Sequence, residues 1–89
     1  MSIDYNKENK IHKKSIANKT LYLIDDSFNT FDHVIECLIN ICEHTSLQAE
    51  QCAYLVHFSG KCGVKSGSLK FLTPRCSALL EAGLSAEIV

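Results

Sequence analysis

A run of strand-forming residues, TLYLI over positions 20–24, stops at two adjacent carboxylates, Asp25 and Asp26, and helical spacing begins a few residues later. β-Branched, aromatic and leucine side chains suit a pleated, half-buried strand, whereas a pair of like charges cannot continue into a core. Phe31, Val34, Leu38 and Ile41 then recur three or four apart, and Ile35, Ile39 and Cys42 add a second apolar stripe. A helix apolar on so much of its circumference is central to whatever core the chain builds. Asn29 is its expected N-cap, with Asp32 reaching back in a capping-box arrangement. A strand feeding a doubly apolar helix commits the chain to packing helices on a sheet.

Similar signals mark the remaining elements. Glu43 and His44 close the first helix, and Thr45 with Gln48 three residues on forms a second capping box. The expected inward face of that second helix is Leu47, Cys52, Leu55 and Val56, ending near His57 and Phe58, with Gly60 as a left-handed cap. Residues 62–65 are a short strand candidate between Gly60 and a turn over 65–68. Two readings remain open for the segment after that turn. Ser68 caps a third helix carrying Leu69, Leu72, Cys76, Leu79 and Leu80, or a short turn leads to a helix starting near Pro74. Gly83 ends this helix, and Leu84, Ala86 and Ile88 alternate with polar neighbours as a final strand. The order is β-α-α-β-α-β, an α+β fold: a single small domain with a three-stranded, mostly antiparallel sheet packed against helices.

Size and charge narrow the function. Eighty-nine residues allow one domain. Residues 1–19 are polar, rich in Asn and Lys, and are expected to be a flexible extension, leaving 20–89 as the folded body. Such a body buries only about 60% of its unfolded surface and has little room for a deep enzyme cleft. Five lysines against two acids give the extension a charge of +3, while four cations against eight acids give the body −4. An acidic body disfavours nucleic acid as the main ligand, because phosphate neutralisation needs clustered Lys or Arg. No stretch has the ~18 apolar residues of a membrane span. No apolar signal-peptide core opens the chain, so a cytoplasmic protein is expected. The five cysteines lack C-x-x-C spacing and mostly sit at apolar positions, which reads as reduced, buried thiols.

Asp25, Asp26, the Asn29 amide and His57, bordered by Phe31, Val34 and Val56, suit a small cation that carries an apolar side chain, such as a free N-terminal amino group with a bulky first residue. An ammonium has three N–H donors and no acceptor, so holding it away from water takes two or three convergent acceptors, at least one of them charged. Taken alone, Asp25 and Asp26 equally suit a solvated turn after a strand, and His57 an ordinary polar helix end. To accept a proton from a ligand His57 must be neutral, so binding should weaken on acidification. A Cys62–His57 nucleophile pair lacks an orienting third group, and a zinc site from Cys42, His44, Cys52 and Cys62 lacks paired short spacings.

Three segments, LYLIDDSFNTFDHVI, QAEQCAYLVHFSGKCGV and the closing LSAEIV, resemble the ClpS family, bacterial adaptors that deliver N-degron substrates to the ClpAP protease. The resemblance covers roughly residues 21–89. It implies a non-enzymatic adaptor without cofactor or metal. It also implies that Asp26 and His57 bind the substrate α-amine together with Asp25, which stands where the family usually has Asn. Phe31, Val34, Val56 and Leu84 fall on pocket-lining positions. Ala53 stands where many members place a bulky Met at the pocket entrance, and Ser27 and Asn29 fall at the rim. The implied partners are a ClpA-type AAA+ unfoldase and proteins or peptides beginning with Leu, Phe, Tyr or Trp, bound by a monomer. A flexible N-terminal segment would engage the unfoldase during delivery. Three departures stand out. Asp25 keeps an acceptor oxygen but lacks the amide donor, Ala53 leaves the entrance wider, and the loop after His57 is shorter than in better-known members. An interaction module of the same fold without amine recognition, and a small hydrolase using Cys62 and His57, remain open as alternatives.

Overall fold

The computed structural model describes residues 18–89. The elements run β1 (Lys19–Ile24), α1 (Phe31–Cys42), α2 (Ser46–Ser59), β2 (Lys61–Gly67), α3 (Leu69–Glu81) and β3 (Ser85–Ile88). This is the expected β-α-α-β-α-β order. The expected extension over 1–19 lies outside the described residues up to residue 17, and Lys19 already belongs to β1.

The sheet is fully antiparallel in the order β2-β1-β3. The first strand is therefore central, and its alternation is decisive: Leu21 and Leu23 are buried while Tyr22 and Ile24 are only partly covered. Ile24 pairs with Lys61 on one side and Ser85 on the other. A bulge between Leu21 and Tyr22 shifts the β1–β2 register, so that Leu21 faces Lys65 but Tyr22 faces Gly63. Reciprocal hydrogen bonds between Thr20 and Val89, at 3.0 and 2.9 Å, extend the β1–β3 ladder by a residue.

The helices cover the face carrying Leu21 and Leu23. Leu38 and Cys42 of α1, Ala49 and Val56 of α2, and Leu72 and Leu79 of α3 complete one core with Cys62, Val64 and Leu84. Two expectations about α1 and α2 need correction. Thr30, not Asn29, caps α1, its hydroxyl accepting from the His33 backbone at 3.1 Å. The Asn29 side chain is drawn away by Asp26 and by the Gly83 carbonyl, to both of which it donates. In α2 the inward residues are Ala49, Ala53 and Val56, whereas Leu47 and Leu55 are 62% and 48% exposed. Small side chains let α2 approach its neighbours closely, and that face wins over the bulkier one. The Thr45–Gln48 capping box and the left-handed Gly60 cap (φ 93°) form as expected.

The open question at α3 resolves in favour of Ser68, whose hydroxyl accepts from the Phe71 backbone at 3.1 Å. Pro74 lies inside the continuous helix. It faces solvent, where its missing N–H and bulky ring disturb no packed neighbour. Gly83 (φ 91°) closes α3: its N–H donates to Leu80 O and the Leu84 N–H donates to Leu79 O, both at 3.0 Å. These two bonds with a left-handed glycine are the Schellman motif, and they turn Leu84 inward at 4% exposure.

Candidate functional site

The carboxyl end of β1, the start of α1, the last turns of α2 and the α3–β3 turn meet around a cavity offering about 60 Å³ to water-sized spheres. At roughly 10–15 Å³ per water, that is space for a few waters. Its floor and walls are apolar: Val34, Ala53, Val56 and Leu84, with Phe31 from the first turn of α1. Asp25, Asp26, Asn29 and His57 supply the polar part. Of the residues singled out in the sequence, only Ser27 is absent from the lining; it is exposed, carried outward by the turn after Asp26. Leu23 and Ile24 line the cavity as well; the sequence marked them only as part of the strand.

One backbone hydrogen bond brings the polar groups together. The Asp25 N–H donates to Gly60 O at 2.9 Å, and since Gly60 caps α2, the end of β1 is fixed beside the last turn of α2, where His57 sits. Among the described residues neither the Asp25 carboxylate nor the His57 ring has a hydrogen-bonding partner. The ring stands edge-on to Phe58, with centroids 5.1 Å apart.

Asp26 is differently placed. Oδ1 accepts from the backbone N–H of Phe28 and Asn29, at 2.9 and 3.1 Å, and Oδ2 accepts from Asn29 Nδ2 at 2.9 Å. Desolvation pushes its carboxyl upward, but the hydrogen bonds from Phe28 and Asn29 outweigh that and hold it below its ordinary value. Asp26 is thus a firm anion. A carboxylate has about four lone-pair sites, so the three bonds leave it one acceptor direction.

Asn29 has a role that the sequence did not reveal. Besides Asp26, its Nδ2 donates to Gly83 O at 2.9 Å, which ties the end of β1 to the turn that delivers Leu84. With both donors used, its Oδ1 has no partner among the described residues and can accept at the rim. His33, one turn into α1, bonds through Nε2 to Ala82 O at 2.9 Å. A ring N–H donates there, so Asn29 and His33 together hold the Ala82 and Gly83 carbonyls of the α3–β3 turn. No sequence signal marks His33, because its partner is 49 residues away.

Among the described residues the Cys62–His57 pair and the zinc set are not assembled. Cys62 contacts Cys52 and Gly63 O rather than His57, and burial, with the Cys52 contact, pushes its thiol up to about 12. That makes it a poor first attacker at neutral pH. His44 is occupied by Val64 O at 2.7 Å, and among the described residues no three His, Cys, Asp or Glu side chains cluster as metal ligands do. Among them, too, no helix is long and apolar enough to cross a membrane.

The arrangement can hold a cation at the mouth of an apolar cavity, with two carboxylates and an imidazole as acceptors. Comparison with known proteins gives this geometry a context. Residues 10–87 match the family described as ATP-dependent Clp protease adaptor protein ClpS. Among solved structures, that of Agrobacterium tumefaciens ClpS2 bound to L-phenylalaninamide superposes with a TM-score of 0.67, at 13% identity, over 83% of this chain and 99% of that one. No curated protein matches the chain in sequence. The fold agrees with that structure, and the family match spans nearly the whole chain: it belongs to the ClpS family of Clp protease adaptors.

Proposed function

We propose that the cavity captures the free α-ammonium and the bulky apolar first side chain of N-degron substrates, and that the protein delivers them to a ClpA-type AAA+ unfoldase for proteolysis. The carrying observation is the convergence of Asp25, Asp26 and a free His57 ring on one apolar cavity. The ammonium donates to the two carboxylates and to neutral His57, while Phe31, Val34, Ala53, Val56 and Leu84 surround the side chain. The ligand of the A. tumefaciens protein, L-phenylalaninamide, has this chemistry: an α-amine, an apolar side chain and no free carboxylate to repel the two aspartates.

The test is binding of a fluorescent peptide beginning with Leu. Asp25→Ala and His57→Ala should each weaken it at least tenfold, about 1.4 kcal/mol, without moving the thermal transition, since among the described residues neither side chain has a hydrogen-bonding partner. Undiminished binding by both variants overturns this reading.

One observation favours a second reading, an interaction module of the same fold without amine recognition. Asp26 spends three of its acceptor directions on its own turn, which would be reason enough for a carboxylate there. On that reading the docking partner would ignore the state of the peptide's N-terminus.

A further inference from the structure

Away from the cavity, Cys52 of α2 and Cys62 of β2 stand with their sulfurs 3.2 Å apart, ten residues apart in sequence. A bond would require them to close only to about 2.05 Å. Their surroundings differ. Cys52 is partly exposed and lines an open surface groove with Gln48, Gln51, Leu55 and Val64. Cys62 lies behind it at 7% exposure. Among the described residues no other two cysteines are hydrogen-bonded to each other. Cys42 is fully buried, its thiol pushed up to about 11 by burial, and Cys37 faces His33 at 3.6 Å.

We propose that Cys52 and Cys62 form an oxidant-reactive dithiol that takes small peroxides and closes into a disulfide tying the middle of α2 to β2. Cys52, as the reachable thiolate, attacks one oxygen of hydrogen peroxide. The O–O bond breaks, the sulfur is oxidised to a sulfenic acid, and the departing hydroxide leaves as water with the proton released by the thiol. The Cys62 sulfur then attacks the Cys52 sulfur, the S–O bond breaks, and the hydroxide takes the Cys62 proton to give a second water. Two thiols and one peroxide become one disulfide and two waters. Burial makes Cys62 a poor first attacker but, at this distance, a well-placed resolving thiol. Cys52 is next in the chain to Ala53 in the cavity wall, so the bridge braces that wall against the strand pairing with β1.

The test treats the reduced full-length chain with one equivalent of hydrogen peroxide, followed by alkylation and mass spectrometry before and after digestion. The expected result is a monomer lighter by two hydrogens, a cross-linked peptide joining positions 52 and 62, and reversal by dithiothreitol. The oxidised wild type should also unfold at a higher temperature than the reduced one. Cys52→Ser, at a partly exposed site, should retain the reduced wild-type transition and lose both the cross-link and the shift. Cys62→Ser places a hydroxyl in the core, so the wild-type mapping decides if that variant unfolds. Over-oxidation of Cys52 with Cys62 still alkylatable, bridging through other cysteines, or bridging between chains would each overturn the proposal.

Discussion

Asp26 is the most heavily used side chain at the site, and its use can be measured. Its carboxyl titrates below the ordinary 3.8 in the folded chain, so near that pH the folded state binds fewer protons than the unfolded one. Its contribution to stability is complete above that value and is lost as the pH falls below it. Stability followed across the acid range should therefore decline less steeply in Asp26→Asn, and an identical acid limb would contradict the assignment. Asn29→Ala, which cuts the link from Asp26 to Gly83 O, should cost about 1–2 kcal/mol in urea denaturation. At this scale the sequence was legible where a residue's chemistry is local and opaque where a distant partner decides. The two aspartates and His57 announce acceptors by type and position. Asn29 and Thr30 are both good cap residues, and Asp26 together with Gly83 O, 54 residues away, decides which one caps.

Among the elements, α2 was the least legible. Its apolar residues lie on several sides; the sequence pattern pointed the bulkier Leu47 and Leu55 inward, whereas the alanines at 49 and 53 turn in because close approach favours small residues. That choice shapes the cavity, since Ala53 leaves room where a longer side chain would intrude. Peptides beginning with Ile should bind the wild type nearly as well as those beginning with Leu. Ala53→Met should weaken Ile-peptides by tenfold or more, about 1.4 kcal/mol, and strong rejection of Ile by the wild type would contradict this. The third helix offers a stability test. Pro74 in a helix interior costs up to about 3 kcal/mol relative to Ala, and it is exposed, so Pro74→Ala should raise the unfolding free energy by roughly 1–3 kcal/mol. The end of helix α3 was readable from Gly83, but its start was open between Ser68 and Pro74, because a proline in a helix interior is costly unless it lies on the solvent side.

For the whole molecule, element order and antiparallel pairing were legible because each strand and helix is marked by its own capping and turn residues. The route by which four chain segments meet at one cavity was not, because it depends on pairings such as Asp25 N–H with Gly60 O. The candidate site is the part of the core left open where β1 ends, which is why Val56 and Leu84 belong to both the core and the cavity lining. The central claim is that this opening reads a charged, free α-amine. The most direct measurement is a calorimetric titration with a peptide beginning with Leu and with its N-acetylated twin. Acetylation removes the charge and two of the three donors while keeping the side chain. The predicted result is clear binding of the free peptide and a loss of at least a hundredfold, about 2.7 kcal/mol, for its twin. Equal affinity for the two peptides would contradict the account.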